Sequence, residues 1–351
     1  MNQESLKQIR KHFSKIGLIY FLGTLLIIAV QTASGWLVLR FAPSMLENND
    51  LALIISMIPM YVIAMPVLIL LIRTVPTTPP VTFPDASSPD SGSHSPYTAP
   101  VSTKKMTVGQ WIVAFMICFA GMYISNIIGT VITQLIGMAK GGMVNNDILN
   151  VVSSTGLLTT IAIIVIIAPV MEEILFRKLL IDRIVSCGEG TAVLISGLLF
   201  GLFHGNLNQF AYAFVLGLLF GFIYVKTRNI RYTILMHMVV NFMGSVLSMI
   251  VLRASGYEEL VRIMNDQPEA LTNHMMEALP GMMILMVYAF MLIGVTIAGI
   301  VLFFVNLRKF ACYPGAVVVP KGKRFTTFLL NPGMLLFILF WTIKIILQLF
   351  E

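Results

Sequence analysis

The sequence predicts an all-α polytopic membrane protein with eight or nine transmembrane helices. Of the 351 residues, 57% are hydrophobic and only 11% are charged, and the mean hydropathy is +0.88. A soluble domain of this length needs more polar surface to stay dispersed. The apolar residues form long continuous runs, whereas a transmembrane β-barrel would show short segments of alternating hydrophobicity. The fold class is therefore a helical membrane bundle.

The apolar runs supply the individual elements, since a transmembrane helix needs about 20 residues. The runs lie at 16–41, 51–72, 108–138, 154–172, 190–204, 208–225, 232–252, 280–306 and 327–349. The run at 190–204 is short, and the next one follows after only GNLN. Residues 190–225 are therefore predicted to form two helices joined by a tight break within or near the membrane.

The charges give an orientation. The net charge is +7, and the basic residues concentrate in short flanks of the apolar runs. They precede the first, third and last runs and follow the fourth and sixth, whereas the intervening loops are richer in acid. This alternation places the N-terminus and the basic loops in the cytoplasm. The expected surroundings are the lipid bilayer of a bacterial cell membrane, with no nucleic-acid partner.

Composition divides the chain into four segments. Residues 1–73 form an N-terminal transmembrane hairpin, and residues 74–106 form a flexible linker rich in Pro, Ser and Thr. Residues 107–252 contain the membrane core in which the polar residues concentrate, with the densest part at 154–252. Residues 253–351 supply a loop and the last transmembrane helices.

Few ionisable residues interrupt the apolar runs, and such residues are functional candidates because the membrane penalises them. They include Glu172, Glu173, His204 and His237, with Lys344 near a helix end where it can reach the interface. Each also has a structural interpretation: the glutamates could be a solvated helix terminus and the histidines hydrogen-bonded packing. That interpretation weakens for the set, because it needs independent polar residues on three helices.

The spacing indicates which side chains act together. Glu173 and Arg177 are four residues apart and can pair on one helix face. Glu172 lies about 100° around the helix from Glu173 and is expected to point elsewhere. His237 and Asn241 are four apart and share a face, although Asn241 could also join helices. Glycines repeated every fourth residue within 197–205 and 217–221 predict close helix packing around this centre.

These residue types fit acyl-bond hydrolysis. A glutamate beside a histidine in a low-dielectric cavity can take a proton from water. A second histidine and an asparagine can donate to a developing oxyanion. Alternatively, a glutamate and two histidines can bind a divalent metal that activates the water. The sequence has no HExxH motif, no GxSxG elbow and no aspartate pair in two apolar helices.

Three short motifs resemble one known family. EEILFR (172–177) is similar to the EExxxR motif of the CAAX prenyl protease and bacteriocin-processing family, abbreviated CPBP and also called Abi. FGLFH (200–204) is similar to its FxxxH motif, and HMVVN (237–241) to its HxxxN/B motif. The motifs occur in the family's order, and the resemblance covers about residues 154–245.

The resemblance implies a membrane-embedded endopeptidase. Relatives in eukaryotes and archaea cut after a prenylated cysteine near a C-terminus, so the implied substrate is a membrane-associated peptide or protein, prenylated in the CAAX case. Carried over by motif, Glu172 is the general base, assisted by His204, and Glu173 pairs with Arg177.

The resemblance also implies roles for the third motif and for a metal ion. His237 and Asn241 would form the oxyanion-binding side. The family is often called a metalloprotease, in which case a divalent metal such as Zn²⁺ would use Glu172, His204 and His237. The glutamate–histidine scheme needs no metal, and the sequence leaves both schemes open.

Two other functions remain open. Some bacterial members of the family are linked to bacteriocin self-immunity or to processing of small secreted peptides, so a non-catalytic immunity or processing role is one alternative. A membrane transporter with a proton-relay glutamate is the other. The chain shows no internal duplication or paired broken helices of the kind that transporters usually have.

Overall fold

The computed structural model describes residues 1–79, 105–142, 144, 151, 154–257, 262–263 and 271–350, of which 271–277 are described by their backbone only. Most of the predicted linker, residues 80–104, lies outside the described residues. The acidic loop expected after the seventh apolar run also lies largely outside them.

The described part of the chain folds into a bundle of helices. Its helices are α1 (Gln3–Phe41), α2 (Asn49–Arg73), α3 (Val108–Ala139), α4 (Leu157–Cys187), α5 (Glu189–Phe203), α6 (Leu207–Thr227), α7 (Ile230–Ala254), α8 (Leu271–Asn306), α9 (Lys321–Phe328) and α10 (Pro332–Gln348). Seven of them are long and apolar enough to span a membrane, or eight if α9 and α10, bent by 68°, form one span. The predicted class of an all-α polytopic membrane protein is confirmed.

Helix α5 explains why the count stays below nine. It has 15 residues, fewer than a membrane span needs. The predicted break after it is present, because α5 ends at Phe203 and α6 begins at Leu207. Gly205 adopts a φ of +68°, which favours glycine, and the Asn206 side chain then caps α6 by accepting from the Gln209 N–H.

The turn between α5 and α6 brings the two helices together backbone to backbone. A Cβ added to Gly217 would lie 2.7 Å from the Cα atom of Gly197, and one added to Gly201 would lie 3.0 Å from Phe214 Cβ. Only glycine permits this approach, so the predicted packing role of these glycines agrees with the structure. The close hairpin holds the C-terminal end of α5 at a fixed place.

Helix α4 changes its winding around the two glutamates. Residues Ile161–Ile167 and Ile174–Ile181 are wound as π-helix, and Ala168–Glu173 between them is α-helical. Pro169 has no N–H to donate to the preceding turn, and the wide turn before it accommodates that loss. The glutamates therefore lie at the end of a short α-helical segment between two π-helical ones.

The terminal helices pack against this core. Gly17 of α1 approaches Gly333 and Met334 of α10 so closely that an added Cβ would overlap the Met334 nitrogen. The Tyr20 hydroxyl of α1 donates to the Leu175 carbonyl of α4 at 2.7 Å. This contact joins the N-terminal hairpin to the helix that carries the glutamates. The division of the chain into four segments remains a prediction.

Candidate active site

A buried ion pair anchors the polar centre. Arg177 Nε lies 3.2 Å from Glu173 Oε2, and both side chains are fully buried. The guanidinium also lies 4.1 Å from the ring centroid of Phe200 and 5.6 Å from that of Phe220. The aromatic faces add favourable cation–π contacts to this buried guanidinium. The predicted pairing of Glu173 with Arg177 is present, and each charge depends on the other for compensation.

His237 of α7 contacts both glutamates. Its Nδ1 atom lies 3.1 Å from Glu173 Oε1, and its Nε2 atom lies 3.7 Å from Glu172 Oε2. The Glu172 side chain is 16% exposed, whereas that of Glu173 is 0% exposed. The helical spacing predicts that the two carboxylates point in different directions. In the structure each carboxylate faces a different nitrogen of the His237 ring. They nevertheless converge on one imidazole, which the spacing alone does not show.

This arrangement constrains the imidazole. A carboxylate accepts hydrogen bonds, so the contact with Glu173 places a proton on Nδ1 of His237. The other ring nitrogen then faces Glu172, either as an acceptor or, when the ring is protonated, as a second donor. The Phe220 ring also contacts this imidazole, with ring centroids 5.5 Å apart. We refer to Glu172, Glu173 and His237 as the Glu–His centre.

His204 follows α5 directly and lies beside the Glu–His centre. Its Nδ1 atom lies 2.8 Å from the Phe200 carbonyl oxygen, and its ring meets the Phe200 ring edge-on at 4.9 Å. Phe200 also contacts the ring of His237, with centroids 5.8 Å apart, so it touches both histidines. His204 lies within electrostatic range of Glu172, but the two side chains make no direct hydrogen bond. The structure brings His204 near the predicted base without bonding it to that base.

Asn241 lies on the same face of α7 as His237. Its Nδ2 atom donates to the Ile164 carbonyl oxygen of α4 at 2.9 Å. That carbonyl belongs to the π-helical segment before the glutamates, so the amide joins α7 to α4. The resemblance predicts that Asn241 faces the oxyanion, and in this structure one of its two amide protons is already used for helix packing.

The structure shows a hydrogen-bonded chain of side chains beside His204, and the predicted site residues do not include it. Asn206 Nδ2 donates to Gln209 Oε1 at 2.6 Å, and Gln209 Nε2 donates to the Tyr212 hydroxyl at 2.9 Å. The Tyr212 ring meets His204 edge-on at 6.4 Å. The sequence signal was the cluster of polar residues in HGNLNQFAY, directly after the FxxxH-like motif.

The metal scheme requires its three residues to converge. In the described ranges, no group of three or more His, Cys, Asp or Glu side chains lies close enough together to hold a metal ion. Glu172, His204 and His237 therefore do not form a ready set of three ligands in this conformation. We derive no chemical step through a metal.

A cavity of about 600 Å³ lies away from the Glu–His centre. It lies between Cys187, the first two turns of α5 and residues 312–329, and none of the predicted site residues lines it. Basic side chains from Lys321 and Arg324 border it. The candidate active site is therefore defined by the contacts among its side chains. The cavity belongs to a different part of the bundle.

Comparison with known proteins agrees with the motifs. The family described as type II CAAX prenyl endopeptidase Rce1-like matches residues 154–243, which is 90 of the 351 residues. The matched stretch includes both glutamates, Arg177, both histidines and Asn241, and the resemblance to the CAAX protease family is confirmed. No curated protein and no solved structure matches the chain.

Proposed function

We propose that this chain, whose residues 154–243 match the type II CAAX prenyl endopeptidase Rce1-like family, hydrolyses peptide bonds with a water activated by Glu172. The observation that carries the proposal is the position of His237 between Glu172 and Glu173. Arg177 compensates the charge of Glu173, so the neighbouring Glu172 is the carboxylate left for proton transfer.

His204 is proposed to hold the attacking water. The Phe200 carbonyl can only accept, so the bond to it places a proton on Nδ1 of His204. The Nε2 atom of the neutral ring is then an acceptor for a water proton. One O–H of the water then donates a hydrogen bond to His204 and the other donates to Glu172. This leaves an oxygen lone pair free to attack a carbonyl carbon.

The reaction then follows in two balanced steps. In the first, the water oxygen bonds to the carbonyl carbon while Glu172 takes one proton, and the carbonyl oxygen becomes an alkoxide. In the second, the protonated Glu172 returns the proton to the amide nitrogen, the C–N bond breaks, and the products are a carboxylic acid and an amine. His237 and Asn241 are proposed to contribute donors to the alkoxide from the opposite helix.

The substrate is proposed to be a peptide at the membrane surface, with a prenylated cysteine near its C-terminus as in the CAAX case. The protein is proposed to lie in a bacterial cell membrane. Its N-terminus would face the cytoplasm, because the basic flanks alternate with acidic loops. The apolar walls of the bundle favour a substrate that is itself held at the bilayer.

The test uses the full-length protein reconstituted in liposomes with quenched fluorescent peptides, prenylated and unprenylated. Wild type should cleave, and Glu172→Gln and His204→Ala should each lower the rate at least about 100-fold, the contribution of a positioned acid–base group. Glu47→Gln, at an exposed position in the short 3₁₀ helix Pro43–Glu47, is the matched control and should cleave like wild type. A wild type that cleaves no member of the library, or variants that cleave equally well, would overturn the proposal.

A further inference from the structure

The residues expected to bind the oxyanion are already engaged. Nδ1 of His237 bonds to Glu173, its Nε2 faces Glu172, and the amide of Asn241 donates to Ile164. An oxyanion in a low-dielectric site needs donors that are already oriented. His237 and Asn241 on α7 therefore supply only part of the hydrogen bonding that an oxyanion needs. A donor with a free proton on the His204 side of the site would supply the rest.

Tyr212 has such a proton, and the hydrogen-bonded chain before it shows why. The backbone N–H of Gln209 can only donate, so the atom of Asn206 that faces it at 2.8 Å is Oδ1. Asn206 Nδ2 therefore faces Gln209 Oε1, which directs Gln209 Nε2 to the Tyr212 hydroxyl. The phenol oxygen accepts in this bond, and its own proton remains available.

The position of the phenol fits a role in the site. Tyr212 lies in the second turn of α6 and meets His204 edge-on, with ring centroids 6.4 Å apart. Its phenol is within electrostatic range of the Glu172 carboxylate. Among the residues that the structure describes, the Tyr212 hydroxyl makes no hydrogen bond other than that from Gln209.

We propose that the Tyr212 hydroxyl donates a hydrogen bond to the carbonyl oxygen of the scissile peptide bond and stabilises the alkoxide that forms on attack. The inference rests on the proposed function and extends it to a residue outside the three motifs. A neutral phenol contributes this donor without bringing another charge into the membrane core. The hydrogen bond strengthens as the carbonyl oxygen becomes negative, so its effect appears in the transition state.

The experiment compares Tyr212→Phe with wild type in liposomes, using the peptide that wild type cleaves. Removal of one oxyanion donor lowers kcat by about 100-fold or more, with little change in KM. Binding of a peptide phosphonamidate, whose tetrahedral anionic oxygens imitate the intermediate, should weaken by a similar factor. Tyr224→Phe is the matched control in the same helix, because its hydroxyl donates to Asp182 instead.

A second variant reverses the direction of the chain. Gln209→Glu replaces the amide donor by an acceptor, so the Tyr212 hydroxyl turns its proton toward the new carboxylate. We expect kcat to fall although Tyr212 is intact, whereas Gln209→Met removes the partner without capturing the proton and should retain more activity than Gln209→Glu.

The outcomes separate the two proposals. If wild type cleaves, Glu172→Gln does not, and Tyr212→Phe keeps kcat and phosphonamidate affinity within about twofold, the Tyr212 inference is overturned and the proposed function stands. A wild type that neither cleaves peptide nor binds the phosphonamidate overturns both. A loss of activity in Tyr212→Phe with unchanged phosphonamidate affinity also overturns the inference, because the hydroxyl then does not contact the tetrahedral oxygen.

Discussion

His237 Nδ1 lies 3.1 Å from Glu173 Oε1, so the carboxylate that is paired with Arg177 also orients the imidazole that faces Glu172. One buried charge pair thus fixes the ring that contacts the proposed base. The two adjacent glutamates consequently differ in surroundings: Glu173 is fully buried against Arg177 and His237, and Glu172 is partly exposed and 3.7 Å from the same ring.

This difference predicts distinct phenotypes for two neighbouring substitutions. Glu172→Gln should abolish most cleavage with little change in the free energy of unfolding, because Glu172 is partly exposed and its contact with His237 is long. Glu173→Gln should lower both, because it leaves the charge of Arg177 buried without compensation. Unfolding in detergent and peptide cleavage are measured on the same preparations, and equal stability losses in the two variants would contradict the assignment.

The buried pair can be measured by a double-mutant cycle. Arg177→Met alone should destabilise the protein by about 3–5 kcal/mol, the cost of leaving one member of a buried pair uncompensated. The double variant Arg177→Met, Glu173→Gln should be destabilised by much less than the sum of the two single variants, since no unpaired charge remains. Lys178→Met is the control on the next residue, where the side chain is 54% exposed and pairs with Asp182. Additive effects would show that the pair is not coupled.

Asn241 should have a stabilising role in addition to any role toward substrate. Asn241→Ala leaves the Ile164 carbonyl without its donor and should cost about 1–3 kcal/mol. Unfolding of the substrate-free protein in detergent checks this. A variant that loses cleavage at unchanged stability would instead indicate that the amide acts on substrate alone.

The α5–α6 contact predicts a strong glycine effect. Gly217→Ala places a Cβ 2.7 Å from Gly197 Cα, and relieving that overlap should cost about 1–3 kcal/mol and reduce cleavage by moving His204. Gly294→Ala in α8 is the matched control: its Cβ would meet nothing within 4 Å, so it should be neutral or slightly stabilising. Thermal unfolding compares the two, and similar midpoints would argue against close packing of α5 on α6.

Chelation tests the alternative means of activating water. Since the described histidines and acidic residues form no cluster able to hold a metal, we expect cleavage to persist after dialysis of the liposomes against a strong chelator. The comparison is a sample dialysed without chelator and one resupplied with Zn²⁺. Loss of activity that Zn²⁺ restores would show that Glu172, His204 and His237 rearrange to bind metal.

The sequence alone determined the fold class and the principal polar residues. Long apolar runs can be satisfied in a bilayer only as helices, because every backbone group must be bonded internally. The same penalty made the membrane glutamates and histidines conspicuous. The pairing of Glu173 with Arg177 also followed from the sequence, because residues four apart share a helix face whatever the helix packs against.

Only the tertiary structure decided how these residues meet. Which side of His237 faces each glutamate depends on how α7 packs against α4, a helix more than forty residues earlier in the chain. The use of the Asn241 amide by Ile164 and the proximity of Tyr212 to His204 likewise arise from packing between helices. Helical periodicity specifies directions around one axis, whereas distances between residues on different helices depend on how side chains interlock, and no local pattern encodes that.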